Sequence, residues 1–174
     1  SENHQIIFHT LEYLAGQTWP DRVFTTTGMT GTEHRAHARA KIVRWLEHKA
    51  RFGFDEWHSN VYYQKDVTPL LTLVEFADEP EIATGAAMLL DRVFLDLALN
   101  SFRGAFGATH GRTYKKDKMT ALHEDVYALA KLVFDQSPLP YQPGTDAGAT
   151  LVARARHYAM PQVVEDAARA TTSY

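Results

Sequence analysis

Residues 69–102 read PLLTLVEFADEPEIATGAAMLLDRVFLDLALNSF, and their pattern is the clearest indication of the fold class. Its first nine residues are apolar nearly all round, which predicts an inner helix that is covered on several sides. Pro80 then opens a second helix, whose apolar stripe runs from Ile82 to Leu97 at spacings of three and four residues. Because the turn between the two helices is very short, they are predicted to pack antiparallel as a hairpin.

The helical period continues on both sides of this hairpin. Asp66 is the expected N-cap of the inner helix, with Pro69 in its first turn. No run of alternating β-branched residues is long enough to require a sheet, so the chain is predicted to be all-α, built from antiparallel helical hairpins. The other helices are predicted from about His4 to Gln17, from an N-cap at Thr32 to Gly53, from about Thr120 to Gln136, and from about Thr150 to before Pro161.

Length and composition predict one globular domain and exclude several classes of protein. The chain has 174 residues, 45% hydrophobic and 22% charged, which is enough to bury a core. The net charge is −3, and no basic block exceeds Lys115–Lys116, so no nucleic-acid partner is expected. The absence of cysteine excludes disulfides, thiolate nucleophiles and zinc–sulfur sites. No apolar run approaches the roughly 20 residues that a membrane helix needs, so no membrane partner is expected.

Within residues 1–174 we expect hairpins over 1–135, a linker rich in proline and glycine over 136–149, and a C-terminal helical segment over 150–174. The start at Ser1 rather than methionine suggests a trimmed chain or a piece of a longer protein. Composition leaves the cellular compartment open.

Unusual polar and aromatic side chains collect in three places, each at a predicted helix start or in a loop between helices. If alternate helices run in the same direction, these clusters converge at one end of the bundle and line a cleft. The first cluster is Glu2, Asn3 and His4; the second is Glu56, Trp57, His58, Asn60, Tyr62 and Tyr63; the third is His110, Arg112 and Tyr114, with Arg103 just upstream.

The chemistry of these clusters suits a sugar chain. Asn, Arg and His bind a carboxylate, Tyr and His exchange protons when their pKa values are tuned, and aromatic rings stack on a pyranose face. Structural alternatives stand beside each assignment: Asn3 and Asn60 also suit helix caps or turns, Trp57 suits a core or rim anchor, and one of Tyr62 and Tyr63 suits a buried ring. His110 is equally compatible with a solvent-facing role.

Neither a metal nor another cofactor is expected. The sequence lacks GxGxxG, GxxxxGK[ST] and GxSxG patterns. Among nine histidines, His34 and His37 lie one turn apart, beside Arg35 and Arg39, on a face predicted to be solvated. Zinc sites usually need a third convergent ligand, so structural or solvent-facing roles are favoured.

Three segments together resemble large, mostly uncharacterised bacterial proteins with a toroid of helical hairpins. They are SENHQIIFHTLEYLAGQ, RFGFDEWHSNVYYQKDVTPLL and LALNSFRGAFGATHGRTY, and the resemblance covers about the first 135 residues. The α/α-toroid is shared by six-hairpin glycoside hydrolases and by heparinase-like and alginate-lyase-like polysaccharide lyases. The resemblance therefore implies a partial α/α-toroid-like fold and action on a polysaccharide or oligosaccharide.

The resemblance also implies roles for the cluster residues. In a lyase, Asn3, Asn60 and Arg112 would bind the uronate carboxylate, and His4 or His110 would be the base. The acid would be Tyr62, Tyr63 or Tyr114. Trp57 and His58 would complete the substrate-binding set.

In a hydrolase, Glu2 and Glu56 would be the pair of carboxylates, with Asp55 as a weaker substitute. Lyase-like β-elimination is slightly favoured, because the clusters hold more Asn, His and Tyr than paired carboxylates. A non-catalytic helical module that binds glycan or protein remains an alternative.

Two features depart from the toroid pattern. The predicted helices make only about half of a toroid, and the proline-rich stretch after Gln136 matches nothing in it. An inactive fragment of a larger toroid protein is thus a further alternative, and association with a second copy could partly close the cleft.

Overall fold

The computed structural model describes residues 1–142 and 147–170, and this part of the chain is mostly helical. A two-stranded antiparallel ribbon is the only sheet in the described residues, so the all-α prediction is confirmed. The α-helices are α1 (Glu2–Thr18), α2 (Gly31–Phe52), α3 (Tyr63–Phe76), α4 (Pro80–Leu99), α5 (Tyr127–Phe134), α6 (Ala147–Arg154) and α7 (Gln162–Arg169); the strands are β1 (Ser101–Phe102) and β2 (Ala105–Phe106); 3₁₀ helices span Lys115–Lys118 and Ala121–His123.

Residues 69–102 form most of the α3–α4 hairpin, as their apolar pattern predicts. The apolar stripe of α4 is fully buried from Ile82 to Leu97. The turn between α3 and α4 is held by neighbouring helices, because the Tyr13 hydroxyl donates to Asp78 at 2.9 Å and Arg35 pairs with Glu79, also at 2.9 Å. The hairpin is therefore anchored at its turn as well as along its apolar stripe.

The helices pack in pairs around one apolar cluster. α1 packs against α2 and α3, and α2 packs against α4. On the other side of the central hairpin, α6 covers α3 and α7 covers α4. This arrangement places the start of α1, the end of α2 and the start of α3 close together, and the three polar clusters lie there.

Two N-cap predictions were wrong. α2 is capped by Thr30 rather than Thr32: the Thr30 hydroxyl accepts from the Glu33 backbone N–H, and Glu33 accepts from the Thr30 N–H in return. Asp66 is not a cap, because α3 already begins at Tyr63, which puts Asp66 in a buried turn and Pro69 inside the helix. The start of α3 is set by the polar stretch before it, which the apolar pattern does not reveal.

The predicted helix from Thr120 to Gln136 is shorter in the structure. Thr120 instead caps a 3₁₀ helix, and α5 starts only at Tyr127. The glycine-rich loop before it contains the short β1–β2 ribbon, whose turn residues Arg103 and Gly104 both have positive φ.

The C-terminal segment forms two helices, one on each side of Pro161, and the first begins at Ala147 within the predicted linker. Of the linker predicted over 136–149, residues 143–146 lie outside the described residues.

Candidate functional site

A buried ion pair organises the base of the site. The side chains of Glu2 and Lys49 form an ion pair in which both residues are at least 95% buried. The two carboxylate oxygens of Glu2 also accept the backbone N–H groups of Asp55 and Glu56, each at 2.8 Å. Burial alone would lower the pKa of Lys49, but its pairing with Glu2 and Asp55 raises it, so the lysine is charged. Glu2 therefore positions the turn at residues 55–56, and its oxygens are occupied.

Glu56 links the first and third clusters. One of its carboxylate oxygens accepts from the Asn3 amide at 3.0 Å, and the other pairs with the Arg112 guanidinium, also at 3.0 Å. Asn3 is fully buried, whereas the Arg112 side chain is about half exposed. These residues are more than fifty positions apart along the chain. The predicted convergence of the three clusters is thus present in the structure.

Arg112 continues the chain of hydrogen bonds to a pair of tyrosines. It donates to the Tyr114 hydroxyl at 3.0 Å, and that hydroxyl lies 2.8 Å from the hydroxyl of Tyr62. The guanidinium carbon also lies 4.8 Å from the centre of the Tyr62 ring, a cation–π distance. The hydrogen bonds from Tyr62 and Arg112 lower the pKa of Tyr114, while the bond to Tyr114 raises the pKa of Tyr62. Tyr114 is therefore the more acidic phenol of the pair.

The loop at residues 110–114 is tied to the segment 56–63 by backbone groups. The Gly111 N–H donates to the Trp57 carbonyl at 2.9 Å, and the Ser59 hydroxyl donates to the Arg112 carbonyl at 2.9 Å. His110 donates from Nδ1 to the carbonyl of His58, which leaves the Nε2 lone pair of a neutral His110 ring available. His58 itself has a φ of 48°, a conformation that few non-glycine residues adopt.

Gly111 lies in close contact with Trp57. A Cβ added there would lie 2.9 Å from Nε1 of Trp57, so any other residue would require the indole to shift. The Trp57 side chain is 44% exposed beside this loop and offers an open aromatic surface.

Several predicted site residues are buried beneath the exposed surface around Trp57 and Arg112, or lie away from it. Tyr63 is buried, accepting from the His58 N–H and donating to Asp96, and burial raises its pKa. Asn60 is fully buried, and its amide makes no hydrogen bond of normal geometry in the described structure. His4 is exposed and contacts the Ser1 hydroxyl. Arg103 stacks on the Phe102 ring in the β-turn, apart from the three clusters.

Two acidic residues near the site were not predicted as site residues from the sequence. Asp66 is buried directly behind the first two clusters, and burial, with the negative charges of Glu2 and Glu56, raises its pKa well above the ordinary value. Burial raises the pKa of Glu124 to about 7, and Glu124 lines a cavity of about 440 Å³ together with His110. Neither residue has a sequence signal, because Asp66 resembles a helix cap and Glu124 lies in an irregular segment.

Three of the histidines outside the site lie together around Glu12. Nδ1 of His34 and Nδ1 of His37 lie 2.8 and 2.9 Å from the same carboxylate oxygen of Glu12, and His9 lies 3.6 Å from its other oxygen. Within residues 1–142 and 147–170, no group of three or more His, Cys, Asp or Glu side chains has the arrangement that a metal ion requires.

Comparison with known proteins found no match: no family model, no curated protein and no solved structure is similar to this chain. In the described part of the chain, no helix combines the length and the apolar character needed to cross a membrane.

Proposed function

We propose that this protein acts on an acidic polysaccharide by β-elimination, with Arg112 binding the uronate carboxylate and the Tyr62–Tyr114 pair transferring protons. The observation that carries the proposal is the continuous chain from Asn3 through Glu56 and Arg112 to the two phenols. A guanidinium has five N–H donors, and the contacts to Glu56 and Tyr114 leave others free for a carboxylate.

The tyrosine pair suits the two proton transfers of an elimination. Tyr114, whose lowered pKa favours the phenolate, removes as the phenolate the proton from the carbon next to the carboxylate. The released electron pair forms the C=C bond and expels the glycosidic oxygen, which takes a proton from Tyr62. The 2.8 Å contact between the two hydroxyls then returns the proton from Tyr114 to Tyr62 and restores the pair.

Hydrolysis by the Glu2 and Glu56 pair is less favoured on this geometry. Both oxygens of Glu2 are bound by backbone N–H groups and by Lys49, and the residue is 5% exposed. A hydrolase needs both carboxylates at the scissile bond. Only Glu56 of the pair faces the open cluster, through its contact with Arg112.

A glycan-binding module without catalysis is the second candidate. It is favoured by the exposed aromatic surface, because Trp57 is 44% and Tyr114 is 41% exposed beside the Arg112 side chain. Such rings stack on sugar faces whether or not a bond is broken.

The test is turnover of alginate and polygalacturonate by the purified chain, followed by the ultraviolet absorbance of unsaturated uronates and by reducing ends. We expect both signals to rise together. Tyr114→Phe should lower turnover by at least about a hundredfold, because positioned proton transfer contributes about 10²–10⁴. Tyr141→Phe is the matched control, since Tyr141 is also exposed, at 47%, and lies outside the clusters.

Three outcomes separate the candidates. Reducing ends without absorbance would replace elimination with hydrolysis. Wild-type activity in Tyr114→Phe would remove the tyrosine pair from the mechanism. Binding that depends on Trp57, without turnover on either signal, would favour the glycan-binding module.

A further inference from the structure

A groove of about 590 Å³ lies between α1 and α2. Gln5 and His9 line it from α1, and Lys41, Arg44 and His48 line it from α2 around Trp45. Its wall therefore carries basic and polar groups, while the apolar residues of α2 face the core.

The basic residues form one line along the groove. Positions 41, 44 and 48 are spaced by three and four residues, so their side chains share one face of α2. They span about 10 Å along the helix axis at 1.5 Å per residue. All three side chains are exposed, and in the described residues neither Lys41 nor Arg44 forms an ion pair. Two cations with no acidic partner on the protein are suited to negative groups on a ligand.

The groove approaches the candidate site at Asp55, the residue that precedes Glu56. Asp55 lines the end of the groove, where its charge is matched by Lys49 at 2.9 Å. The same Glu2 carboxylate that binds the Asp55 N–H also binds the N–H of Glu56, which faces Arg112. The groove and the proposed site are therefore joined through the turn at residues 55–56, which Glu2 holds in place.

We infer that the α1–α2 groove binds further acidic residues of the polysaccharide, with Lys41 and Arg44 contacting successive carboxylates. The inference rests on the proposed function for the class of substrate, and it adds that the substrate is a polyanion several residues long. Repeated negative charge is the ligand property that a line of unpaired cations recognises.

The test is calorimetric binding of a galacturonate hexamer to the full chain, with a neutral glucose hexamer and a thymidine oligonucleotide for comparison. Lys41→Gln with Arg44→Gln should raise Kd for the acidic hexamer about threefold to tenfold, since exposed charge contacts contribute up to about tenfold in total. The wild-type affinity should fall with added salt, because salt screens exposed charges. Arg22→Gln with Arg169→Gln removes the same charge from exposed positions outside the groove, and it is the matched control.

The binding measurements can be interpreted whether or not the protein is catalytically active. Lys41→Gln with Arg44→Gln should weaken binding whether or not the wild type turns the hexamer over, so failure of the proposed elimination leaves the binding result readable. Equal affinity for the neutral hexamer would overturn the groove assignment. So would an equal loss of affinity in the control pair. Tighter binding of the oligonucleotide through Lys41 and Arg44 would show a different class of ligand. Thermal unfolding of each variant confirms that it is folded.

Discussion

The Glu2–Lys49 ion pair gives the sharpest prediction about what holds the candidate site in place. Glu2 is 5% exposed and Lys49 is 2% exposed, and Glu2 also accepts two backbone N–H groups at 2.8 Å each. Removing one partner of a buried pair typically costs about 3–5 kcal/mol, because the other charge is left buried. Lys49 keeps a second partner in Asp55, at 2.9 Å, so we expect Glu2→Gln to cost about 3 kcal/mol, at the lower end of that range.

Urea and thermal unfolding measure this cost. A loss of about 3 kcal/mol corresponds to a Tm lowered by about 6–12 °C for a chain of this size.

Lys49→Met should be at least as destabilising, because it leaves the Glu2 carboxylate buried without a cation. The double variant should be less destabilised than the sum of the two, with a coupling of about 1.5–3 kcal/mol. Glu47→Gln, at an exposed position of the same helix, is the control and should change stability by less than about 0.5 kcal/mol. Effects of the two single variants that add within about 0.5 kcal/mol would refute the buried-pair account.

Three further predictions concern the surrounding structure. Burial raises the pKa of Glu124 from 4.5 to about 7, so the folded chain keeps a proton that the unfolded chain releases. The free energy of unfolding therefore falls as pH rises from about 4.5 to about 7. In Glu124→Gln this fall should be smaller by about 1–2 kcal/mol, measured by urea unfolding at pH values near 4.5 and near 7. Gly16→Ala should destabilise by about 1–3 kcal/mol in urea unfolding. The reason is that its Cβ would lie 2.4 Å from the Gly31 carbonyl oxygen, whereas a Cβ at Gly107 meets nothing within 4 Å, so Gly107→Ala should be neutral. Thr30→Ala should cost about 1 kcal/mol by removing the cap of α2, and a loss of helical circular dichroism at a lower temperature would report it.

Local patterns were sufficient for the helical architecture. The apolar stripe from Ile82 to Leu97 and the short turn before Pro80 predict the α3–α4 hairpin, and the structure contains it. Gly53, with a φ of 82°, ends α2 at the predicted position. These features depend on interactions within a few residues, such as helical periodicity and backbone conformation, which a sequence displays directly.

The grouping of polar side chains was also visible in the sequence, but their roles were not. Glu2 reads as a candidate catalytic carboxylate, yet its oxygens bind the backbone of a turn more than fifty residues away. Lys49 is a charged residue near the end of α2, but it is buried by α1 and the residues after α2. Asp66 has the sequence context of a cap and is enclosed within α3.

The amino-acid sequence is thus enough to predict the helical hairpins and the three places where reactive side chains gather. The packing of the helices sets which of those side chains remain exposed, namely Trp57, Arg112 and Tyr114, and which are held in structural contacts. The physical reason is that burial and ion pairing depend on groups brought together from distant positions. The pairing of Asn3 with Glu56, and of Glu56 with Arg112, exists only after the helices have packed.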